Sequence, residues 1–405
     1  MARLKSAQDL QERLRRELAN CVKCGACMAF CPVYRLDRTE TSNMRGKLAL
    51  LQAIETGRTI PPGAVRKALS RCVGCLTCRA TCPNKVDTGL ATILGKWHHA
   101  PVGPVGSVGQ FVARLLRRSA VGRSLLVFAE EQHSSGMRLA PIVRHLLQMM
   151  RGRKCAKIYN NTNNKSGGLL LVPGCRLAGN DASCGAAVKL AEAAGLAGDN
   201  RPGEIFDGGC CGLPALAAGD LEGYADAVSR LMDVLARQRP QAILFLCPEC
   251  WYAWRLAPEL CELIPVEQSV WKMGAEFHAA LAASGWQPGI RIEGRLAFHE
   301  ACLYARGGGD REAPRRLVER MAAEKPVRSF REGTCCGARG GLVYDDPGMA
   351  RRIAADRLDE LRAAGAETVV THCDRCRSFF GRQPEAQGMR VTSLLDLLGE
   401  TMNHG

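Results

Sequence analysis

Residues 210–214 read CCGLP, and residues 335–339 read CCGAR. Neighbouring side chains leave a helix or strand in different directions. A Cys–Cys pair therefore suits no simple four-ligand metal site, and its recurrence asks for a repeated unit. Working outward from each pair finds one. Upstream lie short apolar strands, LLLV (169–172) and LAF (296–298), each running into a cysteine, Cys175 or Cys302. A second extended piece, EIF (204–206) or VRSF (327–330), leads into the pair. A helix follows, with Leu221, Tyr224, Ala225, Val228, Leu231 and Met232 at helical period in the first copy. Ala350, Ile353, Ala354, Leu358 and Leu361 do the same in the second. Another strand, ILFL (243–246) or TVV (368–370), ends in C-x-x-C: Cys247 and Cys250, or Cys373 and Cys376. Cys175 to Cys302 spans 127 positions, Cys211 to Cys336 spans 125, and Cys250 to Cys376 spans 126. Spacing this constant predicts a duplication. Apolar strands alternating with helices predict parallel α/β units. The cysteines then fall in turns at strand ends, where such folds build sites.

Two further cysteine runs precede the repeat: CVKCGACMAFCP (21–32) and CVGCLTCRATCP (72–83). Both have the C-x2-C-x2-C-x3-C-P form of bacterial two-cluster ferredoxins, in which three thiolates wrap one cluster and the fourth reaches across to the other. This pattern assigns Cys21, Cys24, Cys27 and Cys82 to one [4Fe-4S] cluster, and Cys72, Cys75, Cys78 and Cys31 to a second. Zinc sites take four ligands, typically in two pairs, and match these runs poorly. The insert MRGKLALLQAIETG (44–57) is helical in pattern, and Leu10, Leu14 and Leu18 mark another helix. The region resembles the all-helical ferredoxin of succinate dehydrogenase iron–sulfur subunits more than the small βαβ ferredoxins. Arg45 and Lys47 are candidates to offset a cluster's charge, beside the plain reading as solvated helix charges.

The remaining composition narrows the function. The 405-residue chain carries 21 cysteines and a net charge of +15. Its first twenty residues are charged throughout, which predicts no secretory signal, and no apolar run approaches the length of a spanning helix. A cytoplasmic chain with reduced or metal-bound thiols is expected, with peripheral contact on the inner membrane face as an option. Nucleic acid is not an expected partner, because the stacking motifs of RNA binders are absent. Between Trp97 and Asn160, ten basic residues face two acidic ones, a net +8. FVARLLRR and IVRHLLQMMRGR in that stretch read as short amphipathic helices, either packed on the body or docked on an anionic surface. The expected organisation is a helical ferredoxin domain (1–100), a basic helical connector (101–166) and two duplicated α/β domains (167–290 and 291–405).

Each repeated half supplies five cysteines: Cys175, Cys210, Cys211, Cys247 and Cys250, then Cys302, Cys335, Cys336, Cys373 and Cys376. A cubane needs four thiolates. A fifth implies an opened cluster with a bridging sulfur, or a free redox thiol. Gly212 and Gly337 follow each pair and permit a tight turn. His299 and His372 lie near cysteines of the second half and are candidates to bond a sulfur or relay a proton. Cys155, Cys184 and Cys261 are left over, Cys184 as a core residue.

The combination C-x(31–39)-C-C-G-x(34–36)-C-x-x-C resembles the cysteine-rich CCG domain. That domain occurs in heterodisulfide reductase subunits and in iron–sulfur subunits of glycolate oxidase, D-lactate dehydrogenase and anaerobic glycerol-3-phosphate dehydrogenase. The resemblance implies one or two further [4Fe-4S] clusters, noncubane where the five-cysteine set is complete. It also implies an FAD-containing partner subunit, a small third subunit in some complexes, and quinone or another carrier as acceptor. The chain itself shows no G-x-G-x-x-G after a strand and no P-loop, so no flavin or NAD is expected in it. The leading expectation is an electron-transfer subunit of a flavin-dependent 2-hydroxy-acid dehydrogenase of the glycolate or D-lactate type. The alternative is a heterodisulfide-reductase-like subunit that cleaves a disulfide at its CCG clusters.

Overall fold

The computed structural model describes residues 3–100, 169–177, 180–196, 204–205, 210–262 and 274–402. The basic connector with its two expected amphipathic helices, Cys155 and Phe206 lie outside the described residues. No helix among the described residues is long and apolar enough to cross a membrane.

After the short strand β1 (Arg3–Leu4), the first region is helical. Helices Ala7–Ala19, Met44–Glu55, Pro62–Ser70 and Thr88–His99 form its body. Their starts are encoded locally. Ser6 Oγ accepts from the Asp9 amide at 3.1 Å, Asn43 Oδ1 from Gly46 at 3.1 Å and Asp87 Oδ1 from Leu90 at 3.0 Å. Each cap satisfies an amide that the helix leaves unpaired. Leu10, Leu14 and Leu18 lie on one face and are buried in a core with Leu48, Leu51, Leu90 and Leu94. Burying each such side chain contributes about 1.5–3 kcal/mol. Ala26–Ala29 and Thr77–Ala80 are single helical turns, and each carries the third cysteine of its run, Cys27 or Cys78.

Two parallel sheets follow. The first joins β2 (Leu169–Val172), β3 (Glu204–Ile205), β4 (Ala242–Phe245) and, after the two-residue β5 (Cys261–Glu262), β6 (Gly274–Glu276), in the order β3-β2-β4-β6. The second joins β7 (Leu296–His299), β8 (Thr368–Thr371) and β9 (Arg390–Ser393) in that order. Val327 bridges Ala297 in parallel on the free side of β7. The strand order is thus the same in both sheets, with Val327 where β3 stands in the first. VRSF makes only this one bridge and is not a strand. The Arg357 guanidinium donates to Ser329 Oγ at 2.7 Å and to the Arg331 carbonyl at 3.2 Å, so a side chain holds this segment where a ladder would have. β6 and β9 were not expected from the sequence. Each pairs on one side only, and each runs directly into a helix, Phe277–Ala283 or Leu394–Met402.

Corresponding helices share their caps. Asp220 accepts from the Gly223 amide at the start of Leu221–Gln238, and Asp346 from Met349 at the start of Pro347–Ala363, both at 2.9 Å. Leucines and valines of both sheets, among them Leu171, Leu244, Leu296 and Val370, share one core. The two halves also meet at the C-x-x-C motifs. Glu249, two residues after Cys247, pairs with Arg375, two residues after Cys373, at 2.7 Å. Equivalent positions of a repeat that meet each other would repel if they carried the same charge. Here the two copies have taken opposite charges. The all-helical expectation for the N-terminal region needs one amendment: β1 pairs antiparallel with β5, tying the N-terminus to the first half.

Candidate metal centres

The first and last cysteines of each half sit at the carboxyl ends of parallel strands. Cys175 follows β2. Cys247 caps the helix Pro248–Leu260 after β4, and Cys250 lies in its first turn. Cys302 opens Cys302–Gly307 after β7, and Cys373 caps Asp374–Phe380 after β8. Gly212 and Gly337 are left-handed, with φ of 82° and 80°. At Gly337 an added Cβ would lie 2.5 Å from the Ala350 carbonyl, so the turn after the paired cysteines tolerates no side chain. No disulfide joins the described cysteines.

In each half the five sulfurs are neighbours. In the second, Cys336 and Cys376 Sγ lie 3.1 Å apart, and the Gly337 amide points at Cys335 Sγ at 3.3 Å. Cys335 sits against Cys302, and Cys376 against Cys373. In the first, a Cβ on Gly174 would stand 3.1 Å from both Cys247 and Cys250 sulfurs, so these two flank one point. The Cys211 sulfur accepts hydrogen bonds from the Cys210 and Cys250 thiols, and burial pushes the Cys175 thiol up to about 12. The paired cysteines are not equivalent. The neighbouring Cys210 thiol holds Cys211 well below its ordinary pKa, and Cys335 does the same to Cys336. Their partners Cys210 and Cys335 are correspondingly raised. The second residue of each pair is therefore the one that most readily becomes a thiolate, and the same asymmetry appears in both halves.

The ferredoxin cysteines segregate crosswise. Cys31, Cys72, Cys75 and Cys78 line one cavity. Cys21, Cys24, Cys27 and Cys82 line another, and Cys78 also borders it. Both runs use the same backbone. Lys23 and Gly25 in the first, and Gly74 and Leu76 in the second, have φ of 56°, 84°, 60° and 58°. A non-glycine residue in this region costs about 1–3 kcal/mol and persists where a functional loop demands it. The Gly74 amide points at Cys72 Sγ at 3.2 Å, and Cys78 Sγ meets Thr88 Oγ1 at 2.9 Å.

The four sites are contiguous. Gly340, left-handed at φ 75°, packs so close that a Cβ would lie 2.0 Å from the Cys72 carbonyl. Arg339 donates to the Gly74 carbonyl, and Arg306 to the Cys75 carbonyl at 3.1 Å. Cys335 lies against Cys75 and brings its pKa down to about 5. On the other side, Leu213, Leu216 and Ala217 of the first half line the cavity of Cys72.

Arg45 and Lys47 separate. Arg45 lines the Cys21 cavity and is held by Glu40 at 2.8 and 2.9 Å. Lys47 lines the Cys72 cavity, buried, and donates to the carbonyls of Ser42 and Arg71. His299 lies with Cys336 and Cys376, their ligand atoms all within 4.8 Å of one another. His372 is not in that group. Its ring stacks on Phe298 at 5.3 Å, with both nitrogens unpartnered among the described residues. Burial holds its pKa well below the ordinary value, so the imidazole is neutral there. Cys184 is buried and donates to the Leu177 carbonyl at 3.5 Å, and Cys261 is buried in β5. Lys96, Thr88 and Arg339 were missed from the sequence. They carry no spacing signal, and only the packing of the halves brings them to a sulfur site.

The donor set fits iron–sulfur clusters: soft thiols in fours and fives, from exposed Cys24 to the buried thiols of the two halves, with lysines buried beside the Cys72 set. Residues 17–86 match the 4Fe-4S dicluster domain family, and residues 296–381 match the cysteine-rich CCG domain family. Among curated relatives, a fumarate reductase (CoM/CoB) subunit of Methanothermobacter marburgensis is 22% identical over 96% of this chain and 73% of its own length. The glycolate oxidase iron–sulfur subunit of Escherichia coli is 24% identical over 89% of each chain. A dihydromethanophenazine:CoB–CoM heterodisulfide reductase subunit of Methanosarcina mazei is 23% identical over 95% of this chain and 94% of its own. The chain thus carries a region that matches the 4Fe-4S dicluster family and another that matches the cysteine-rich CCG family, and over most of its length it is similar to a glycolate oxidase iron–sulfur subunit and to a heterodisulfide reductase subunit.

Proposed function

We propose that the chain is the iron–sulfur electron-transfer subunit of a flavin-dependent 2-hydroxy-acid dehydrogenase of the glycolate or D-lactate type. The observation that carries this reading is the contiguity of the cysteine sites, from exposed Cys24 through the Cys72 set to Cys335 and Cys336. In this reading Cys21, Cys24, Cys27 and Cys82 hold one [4Fe-4S] cluster, and Cys72, Cys75, Cys78 and Cys31 hold the second. Cys175, Cys210, Cys211, Cys247 and Cys250 hold a third, and Cys302, Cys335, Cys336, Cys373 and Cys376 a fourth. The shared strand order and the constant cysteine offsets support treating residues 167–290 as a second CCG domain, beside 291–405, with 1–100 as the ferredoxin domain.

Each cluster, when bound, carries electrons singly, while a flavin collects a hydride and releases electrons one at a time. The chain's residues do the rest. The thiols ligate, and the Gly74 and Gly337 amides stabilise sulfur charge. An FAD-containing subunit supplies electrons, and quinone or another carrier receives them. The basic connector suits contact with an anionic membrane face. Co-purification with an FAD-containing partner subunit tests this reading. The two-subunit complex should reduce a dye with glycolate or D-lactate, and this chain alone should not. Turnover by the isolated chain would contradict it.

The complete five-cysteine sets favour one second reading, disulfide cleavage at a noncubane cluster. Cys336, held below its ordinary pKa by the neighbouring Cys335 thiol and with His299 beside it, is the group suited to such chemistry. Stoichiometric cleavage of an added disulfide by the reduced protein would select this reading over pure relay.

A further inference from the structure

The two ferredoxin sites have the same ligands and the same backbone, yet their cations differ. At the first, Lys23 is exposed and Arg45 is neutralised by Glu40. At the second, Lys47 is 2% exposed and Lys96 is 4% exposed. Neither makes an ion pair among the described residues. Lys47 gives two of its three N–H donors to the carbonyls of Ser42 and Arg71, at 2.7 and 2.9 Å. Lys96 gives one, to the Ala217 carbonyl at 2.8 Å. The remaining donors belong to ammonium groups that line the cavity of Cys31, Cys72, Cys75 and Cys78. Lys47 acts on Cys31, while burial brings the Lys96 pKa down to about 8 against the pull of Cys72 and of the Asp345 carboxylate. Arg339, half-buried, also lines this cavity and adds a third cation.

A buried charge without a counter-ion is costly. Two in one cavity wall call for an anion between them. Four thiolates around a [4Fe-4S] core leave a net negative charge that grows by one on reduction. Charges withdrawn from water are weakly screened, and net charge is one of the factors that set cluster potential. Burial of the Cys72 site opposes reduction, since it strips solvent from the more charged state. The unpaired cations oppose that penalty directly.

We propose that Lys96, with Lys47, holds the second ferredoxin cluster at a higher reduction potential than the first, making it the site where electrons collect between the exposed cluster and the two cysteine-rich halves. Lys96 acts as a positioning charge and not as a ligand. Its backbone also meets the first half, since a Cβ on Gly219 would lie 3.2 Å from the Lys96 carbonyl carbon. The inference rests on the proposed filling of both ferredoxin sites.

An EPR-monitored redox titration of the anaerobically purified full chain tests it, with iron counted in each preparation. In the wild type, one ferredoxin signal should appear at higher potential than the other. K96M should shift the exchange equilibrium between the two clusters at least tenfold toward the first, a fall of about 59 mV or more for a one-electron couple. K96R should restore most of it. K47M provides a second, independent variant, and R45M at the first site should leave the higher potential unchanged. Variants are compared only at wild-type iron content. Unchanged potentials in K96M and K47M would overturn the inference while leaving cluster binding intact. A wild-type chain without iron in the ferredoxin sites would overturn the reading beneath it.

Discussion

The two cysteine-rich halves carry the same five sulfurs on the same strand order, but their surroundings diverge. His299 and His372 of the second half stand where the first half has Val172 and Leu246, 127 and 126 positions earlier. All four side chains are buried. The second half reaches the ferredoxin through Arg339, Gly340 and the Cys75–Cys335 contact, whereas the first reaches it through the Lys96–Ala217 bond. The sulfurs are what holding a cluster requires, and they are kept in both. The residues around them decide what the cluster can do, and these have diverged. The first half has an apolar wall at the position where the second presents an imidazole to Cys336.

Removing a central thiol breaks the comparison most severely. Cys336→Ser should abolish the second half's EPR signal and lower turnover of the complex at least a hundredfold. Cys211→Ser should remove the first half's signal instead. Unchanged iron in C211S would mean that the first half holds no cluster.

The next effect falls on the junction of the halves. Glu249→Gln takes away the negative charge that faces buried Arg375 and should destabilise the protein by about 3 kcal/mol. The double variant E249M/R375M should recover most of that loss. Denaturant midpoints of the two single variants and the double variant measure it, and additive losses would show that the pair is not coupled.

Gly340→Ala addresses the contact between ferredoxin and second half. Its Cβ has no room beside the Cys72 carbonyl, and its backbone is left-handed. Stopped-flow reduction should slow about tenfold at the second half and remain unchanged at the first, scaled to a shift of about 1.4 kcal/mol in the barrier. Equal slowing at both would place the route elsewhere.

The smallest effect is the most specific. His299→Val copies the first half's Val172 into the second. Burial holds the pKa of His299 below its ordinary value, so a neutral ring is lost and no charge. The second half's EPR line shape should change with little loss of iron or stability. An unaltered spectrum would assign His299 to packing against Phe380, whose ring centroid lies 4.7 Å away.

Much of this was legible because sulfur sites impose spacing. The near-constant offsets between the halves and the two C-x2-C-x2-C-x3-C-P runs follow from chain geometry around a compact group, and so did the strands that deliver the cysteines. β6 and β9 were not legible, since short edge strands that run straight into helices carry no period of their own. VRSF read as an extended piece, yet it makes a single bridge to Ala297 because Arg357 holds its polar groups. Lys96 and Arg339 could not be read at all. One is the ninth residue of an ordinary amphipathic helix and the other follows a glycine turn, and only the assembled halves bring them to the Cys72 cavity.

The central claim is that both halves, as well as the ferredoxin, hold clusters. Iron and acid-labile sulfide counted on the anaerobically purified chain, with EPR on stepwise reduction, test it most directly. About sixteen irons per chain, four at each of four sites, is the result expected here. About eight, with only ferredoxin signals, would contradict it and return Cys210–Cys211 and Cys335–Cys336 to thiol chemistry or zinc.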